Sequence, residues 1–279
     1  MGHRIIVNKP SATPWRCALM CNPVMSGQPQ HPPLQWLEAD TPFPAVATAW
    51  GADTGAPGLL AAGGGLAVER LTSAYAQGIF PWFSQGQPVL WWSPTPRMVL
   101  QTGQFKMHRS LAKTLQRHHL NPAFSLCFDR AFDQVIEHCA HSPRKHQNGT
   151  WIVPSMVQAY QALHRAGHAH SAEVWLDGQL VAGLYFVCLG KAVFGESMFT
   201  LISDGSKMAL SALVYVCRLH GIDQIDCQQK TSHLASLGAT EVPRAEFLQR
   251  MALNQTQTSP DWQAQSVDAL QLAHMERLS

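Results

Sequence analysis

HSAEVWLDGQLVAGLYFVCLGKAVFGESMF, residues 170–199, is the stretch that decides the fold. Its pattern turns over every second residue and is interrupted at Asp177-Gly178 and again near Gly190-Lys191. Turn-forming pairs between alternating runs predict three antiparallel strands joined by tight hairpins. The last run ends in Gly195-Glu196-Ser197-Met198-Phe199, where one carboxylate stands in an otherwise apolar strand. A carboxylate in such a place needs partners or a task, so Glu196 is a candidate site residue.

Helical periods lie on both sides of this meander. Upstream, Val68, Leu71 and Tyr75 fall on one helical stripe that Gly78 closes, and Phe132, Val135, Ile136 and Cys139 form another, with Asp129 as its expected N-cap. Pro154 suits a first helical position before the stripe Met156, Ala159, Tyr160 and Leu163, and Gly167 ends it. Downstream, Leu210, Leu213, Val214 and Cys217 face inward from a helix over residues 207–219. A strand over 222–228 carries Asp226, Cys227 and Gln228, and a last helix starts at Pro243. Strands set beside helices, with a crossover helix returning to the same sheet, make an α+β fold. The expected division is an extension over residues 1–35, a small N-terminal domain over 36–102 and a larger catalytic domain over 103–279. Residues 1–35 mix Pro, Gln, Ser and His without period, which predicts disorder or a start upstream of the native one, with Met25 as the alternative.

The composition excludes several classes. A net charge of +2 over 279 residues is too mild to announce a nucleic-acid binder, so such a role must rest on local charge. Seven cysteines in no zinc-binding spacing predict free thiols in a reducing compartment. The histidines offer only weak pairs, His118 with His119 and His168 with His170, so no metal is expected. There is no apolar run of about eighteen residues, hence no membrane span, and the cytoplasm is the expected location. Walker, dinucleotide-binding and G-x-S-x-G sequences are absent. No cofactor is expected.

Local chemistry is more telling. Residues 78–100, GIFPWFSQGQPVLWWSPTPRMVL, are dense in aromatics; Trp82 and its neighbours suit either core packing or stacking on a base. Lys106, Arg109, Lys113 and Arg117 follow helical spacing opposite Met107, Leu111 and Leu115, and no acid occurs from 101 to 119. Such a face suits phosphates or is a solvated surface. Asp226 shares a face with Gln228 by period two, and three roles fit it: general base, anchor for an amine, or structural hydrogen-bond acceptor. Leu184, Phe194 and Met198 line a slot near Glu196, suited to an apolar group attached to something polar and aromatic.

Taken together, Gly78-Ile79-Phe80-Pro81-Trp82-Phe83, Trp91-Trp92-Ser93-Pro94, Gly149-Thr150-Trp151-Ile152, His168-Ala169-His170-Ser171, Glu173-Val174-Trp175, Gly195-Glu196-Ser197-Met198-Phe199, Ser206-Lys207 and Ile225-Asp226-Cys227-Gln228 resemble the bacterial leucyl/phenylalanyl-tRNA protein transferases. The match runs in order over about 42–248. The resemblance implies an aminoacyltransferase that moves Leu or Phe, and Met by extension, from aminoacyl-tRNA to the N-terminal Arg or Lys of an acceptor protein, tagging it for N-end-rule degradation. It implies a small N-terminal domain joined to an acetyltransferase-like (GNAT) domain with a mostly antiparallel sheet flanked by helices, acting as a monomer. By the same resemblance Trp82 and Trp151 hold the terminal adenosine with Glu196, Tyr160, Leu184, Phe194, Ser197 and Met198 form the amino-acid pocket, and Asp226 and Gln228 take the catalytic positions. Two other classes fit less well: an acyl-CoA N-acyltransferase of the same fold, which lacks its Gly-rich pyrophosphate cradle here, and a tRNA-binding module without catalysis.

Overall fold

The computed structural model describes residues 33–142 and 152–275. The chain begins with β1 (Gln35–Leu37), β2 (Leu59–Gly63), α1 (Val68–Tyr75), β3 (Phe80–Pro81) and β4 (Leu90–Trp92). It continues through β5 (Arg97–Gln101), α2 (Arg109–His119), β6 (Phe124–Phe128), α3 (Phe132–His141) and α4 (Pro154–Arg165). The meander follows as β7 (Ala169–Leu176), β8 (Gln179–Leu189) and β9 (Ala192–Thr200). Then come α5 (Gly205–Leu219), β10 (Gln224–Gln228), α6 (Ser232–Ser236) and β11 (Thr240–Val242). Helix α7 (Arg244–Asn254), β12 (Ser266–Val267) and α8 (Ala269–Ala273) complete it. The result is a mixed α+β architecture.

Two sheets organise the described residues. The smaller has the order β1-β2-β4-β3, and the larger runs β11-β5-β10-β9-β8-β7-β6-β12. In the larger sheet β9 and β10 pair in parallel, while the other neighbours are antiparallel. The meander turns where expected: Asp177 and Gly178 both adopt positive φ, at 53° and 75°, as a tight hairpin of right-twisting strands requires. Strands β7–β9 are buried on both faces. Helix α5 covers one face, and α3 and α4 cover the other. Double cover explains why these strands are richer in apolar residues than a half-solvated sheet would be.

A β-bulge divides the meander's chemistry. Tyr185 pairs with Ser197 and Phe186 with Gly195, so Glu196 is an extra residue between two registers. On a regular strand Phe194 and Met198, four apart, would share a face. With one residue inserted they separate: Phe194 joins the core cluster that holds Tyr75, Tyr160 and Tyr185, and Met198 the one that holds Leu184, Leu210 and Leu213. A second bulge lies in β10, where Asp226 pairs with Val99 and Gln228 with Met98. Gln228 has φ 64°, a left-handed conformation that is uncommon outside glycine.

Two local expectations are corrected. Asp129 does not cap α3, whose N-cap is Ala131; with φ 53° it turns back, and its carboxylate accepts from Ser171 N–H at 2.7 Å. Lys106 precedes α2 rather than lying on it, because Phe105 and Met107 are drawn into the core on an extended segment whose Lys106 N–H bonds to the Leu237 carbonyl. Among the described residues no helix is long and apolar enough to cross a membrane.

Candidate active site

Glu196 is the hub. Extruded by the bulge, its buried carboxylate accepts from Tyr75 Oη at 2.8 Å and Tyr160 Oη at 3.2 Å. Gln228 Nε2 donates to it at 2.6 Å. The two tyrosine oxygens also touch, at 2.5 Å. Tyr75 comes from the end of α1, Tyr160 from α4 and Gln228 from β10, so three separate elements converge on one side chain. Burial first, and then the charge of Glu196, pushes both tyrosine hydroxyls well above their ordinary range, which keeps them as neutral donors.

A cavity opens beside this hub. Leu184, Met198, Leu210, Leu213, Ile225 and Leu234 give it apolar walls, and Glu196, Ser197 and Gln228 supply the polar groups. Ser197 Oγ and Gln228 Oε1 are buried and have no hydrogen-bond partner among the described residues. Buried acceptors of this kind ordinarily find one, so the cavity is chemically suited to a ligand that carries N–H or O–H groups beside an apolar side chain.

Asp226 is placed differently. Both its oxygens bind Arg97, Oδ1 to Nε at 2.8 Å and Oδ2 to Nη2 at 2.6 Å, and Oδ1 also accepts the Gln228 backbone N–H at 2.8 Å. Arg97 and Asp226 are almost fully buried. The guanidinium lies between the rings of Phe80 and Phe247, 4.8 and 4.7 Å from their centroids, and donates to the Gly78 carbonyl at 3.1 Å. Thus Asp226 faces away from the cavity and reaches it only through Gln228.

The remaining candidates distribute as follows. Leu184, Glu196, Ser197, Met198 and Gln228 are brought together at the cavity. Tyr160 touches the hub from the opposite face, and Phe194 sits behind it, 5.0 Å from Tyr75 ring to ring. Trp82 is half-buried just after β3, 5.2 Å from Trp92, whose indole N–H its carbonyl accepts. Trp151 lies outside the described residues. Arg109, Lys113 and Arg117 are exposed along α2, with Lys106 exposed just before it. Lys113 and Arg117 border a surface groove closed by Asp204, which pairs with Lys207 at 2.8 Å.

Tyr75 and Arg97 were not singled out from the sequence. Each carried a readable signal: a phenol at the end of an apolar helical stripe, and a lone cation immediately before the apolar run Met98-Val99-Leu100. One group among the described residues offers metal-ligand atoms within 4.8 Å of one another, Asp129, His164 and His170. There Asp129 already holds His170 Nδ1 at 2.7 Å, His164 Nδ1 meets the Ala169 carbonyl at 2.7 Å, and none of the three lines the cavity.

The family described as "Leucyl/phenylalanyl-tRNA protein transferase" matches residues 99–252, and its "N-terminal domain" matches residues 64–95. A protein of Polaromonas sp. named leucyl/phenylalanyl-tRNA--protein transferase is 57% identical over 245 residues, spanning 88% of this chain and 96% of that one. The chain belongs to the leucyl/phenylalanyl-tRNA protein transferase family. A second protein of that name, from Albidiferax ferrireducens, is 56% identical over 86% of this chain and 93% of its own. Among solved structures, the crystal structure of FemX aligns over 66% of this chain and 71% of its own with a TM-score of 0.39 and 10% identity. Family membership makes the chain an aminoacyltransferase, and the cavity and hub are its candidate centre.

Proposed function

We propose that this transferase moves Leu or Phe from aminoacyl-tRNA to the N-terminal Arg or Lys of acceptor proteins, marking them for degradation. The observation that carries this reading is the cavity: apolar walls sized by Leu184, Met198, Leu210 and Leu213 meet a polar end at Glu196, Ser197 and Gln228. An apolar side chain enters the walls while its ester end meets the polar groups. Trp82 and Trp151 take the terminal adenosine with Glu196, and Arg109, Lys113, Arg117 and Lys106 meet phosphates of the acceptor arm, which makes binding salt-dependent and tolerant of tRNA sequence.

The ester is already activated, so the reaction needs no ATP. The acceptor amine, with an ordinary pKa of about 8, attacks as the neutral form. Nitrogen bonds to the carbonyl carbon, the ester C–O bond breaks, and the ribose oxygen leaves with the proton as a hydroxyl. Asp226 is occupied by Arg97 and by the Gln228 N–H, so its role is to orient Gln228 rather than to take a proton. Holding both substrates at one polar rim supplies the proximity that drives the step.

We further place the domain division between β4 and β5, because β5 pairs with β10 and β11 in the larger sheet. That sheet, with its single parallel pairing and helices on both faces, supports an acetyltransferase-like assignment. The enzyme acts as a cytoplasmic monomer without a cofactor. Incubating the pure protein with labelled Leu-tRNA and a substrate protein beginning with Arg tests the activity. Label in the acceptor supports it, and absence of transfer with an intact, folded enzyme sinks it.

A further inference from the structure

We infer that Arg97 is the positioning residue of the centre, holding in register two groups that donate to the same oxygen of Glu196, Tyr75 and Gln228. One guanidinium makes both attachments. Nε and Nη2 grip Asp226, whose Oδ1 in turn receives the Gln228 backbone N–H and so stabilises the positive φ from which the Gln228 side chain points at Glu196. Nη1 grips the Gly78 carbonyl, and Gly78 N–H bonds to the carbonyl of Tyr75, a second donor to the same Glu196 oxygen. The Phe80 and Phe247 rings lock the guanidinium plane between them.

Lysine cannot replace this fork. It carries the charge but lacks the planar array of donors that holds a carboxylate by two bonds while a third reaches a carbonyl. A displacement of Gln228 by about 1 Å is enough to lower turnover about 10²-fold. The inference rests on the proposed transfer reaction for its kinetic test, so a second readout independent of activity is included.

The test compares wild type, Arg97→Lys, Gln228→Ala and the double variant in steady-state transfer of Leu from Leu-tRNA. Arg97→Lys is expected to lose about 10²-fold in kcat with KM for the tRNA within about threefold of wild type and an unchanged shape of the pH profile. The double variant is expected to be slower than Gln228→Ala by much less than the loss Arg97→Lys causes alone, because the two changes share the Gln228 route. Losses that multiply, or a kcat for Arg97→Lys within about threefold of wild type, overturn the assignment. Arg97→Met combined with Asp226→Asn removes both buried charges and guards against simple unfolding; a cooperative melt with kcat still depressed supports the inference, and recovery of wild-type kcat overturns it. Side-chain amide NMR of Gln228, assigned by its loss in Gln228→Ala, reads the same geometry without turnover. Arg97→Lys is expected to shift or broaden that resonance, and an unmoved resonance rejects the proposal even where wild type transfers nothing.

Discussion

Glu196 and Asp226 are buried carboxylates on neighbouring strands, yet they live in opposite environments. Glu196 accepts from two phenols and an amide and borders a cavity. Asp226 meets a guanidinium with both oxygens and does not line that cavity. Glu173 completes the contrast: equally buried, it is held by Ser171 Oγ, Ala131 N–H and Trp175 Nε1, each at 2.8 Å, on strand β7 away from the cavity. Burial alone therefore does not mark the carboxylate that lines the cavity. What separates the three is whether the partners leave the group beside open space, and only Glu196 has that.

The sharpest way to break this contrast is to remove Asp226. Asp226→Ala leaves the Arg97 charge buried without its carboxylate and is expected to destabilise the fold by about 3–5 kcal/mol, measured by urea unfolding. A loss under about 1 kcal/mol would mean that Arg97 finds water or another anion, and the pair would no longer be structural. Gln228→Ala tests the other side. It is expected to lower kcat about 10²-fold, roughly 3 kcal/mol in the barrier, while the unfolding midpoint moves little. Equal damage to stability and rate would erase the distinction between the two centres.

Smaller effects sharpen the picture. Met198→Ala enlarges the apolar wall and is expected to change the ratio of kcat/KM for Phe over Leu in favour of Phe by about 1–3 kcal/mol, read by competing the two charged tRNAs. The raised phenols give a pH signature. Below the unfolded tyrosine pKa of about 10 both states keep the proton and the full stabilisation is present. Above it the unfolded state releases protons that Tyr75 and Tyr160 retain in the fold, so stability falls as pH rises. Thermal melts between about pH 8 and 11 are expected to show this decline, and Tyr75→Phe is expected to flatten it. The least effect belongs to the exposed α2 face: Lys113→Ala is expected to weaken tRNA binding slightly and reduce the salt slope by about one, with no change in selectivity.

Much of this architecture was legible before the fold was known. The period of two in residues 170–199 and its turn pairs correctly located β7, β8 and β9, because each side chain's face follows from local backbone geometry. Pro154 marked the start of α4 for the same local reason. Leu184, Ser197, Met198, Glu196 and Gln228 were all named, and all meet at the cavity. Phe194 was grouped with them on a period that holds only for a regular strand, and the bulge at Glu196 moved it to the other face. Asp226 and Gln228 were joined by the same period, and the bulge in β10 separated their tasks.

The sequence by itself determined the mixed α+β class, the meander, the family and five of the residues that line the candidate cavity, because periodicity, turn chemistry and short motifs are properties of neighbours in the chain. Only the tertiary structure decided which carboxylate stands open. Arg97 lies 129 positions from Asp226, and Tyr75 lies 121 from Glu196. Contacts at that separation arise from sheet order and from two one-residue bulges, and a period read along a single strand carries neither.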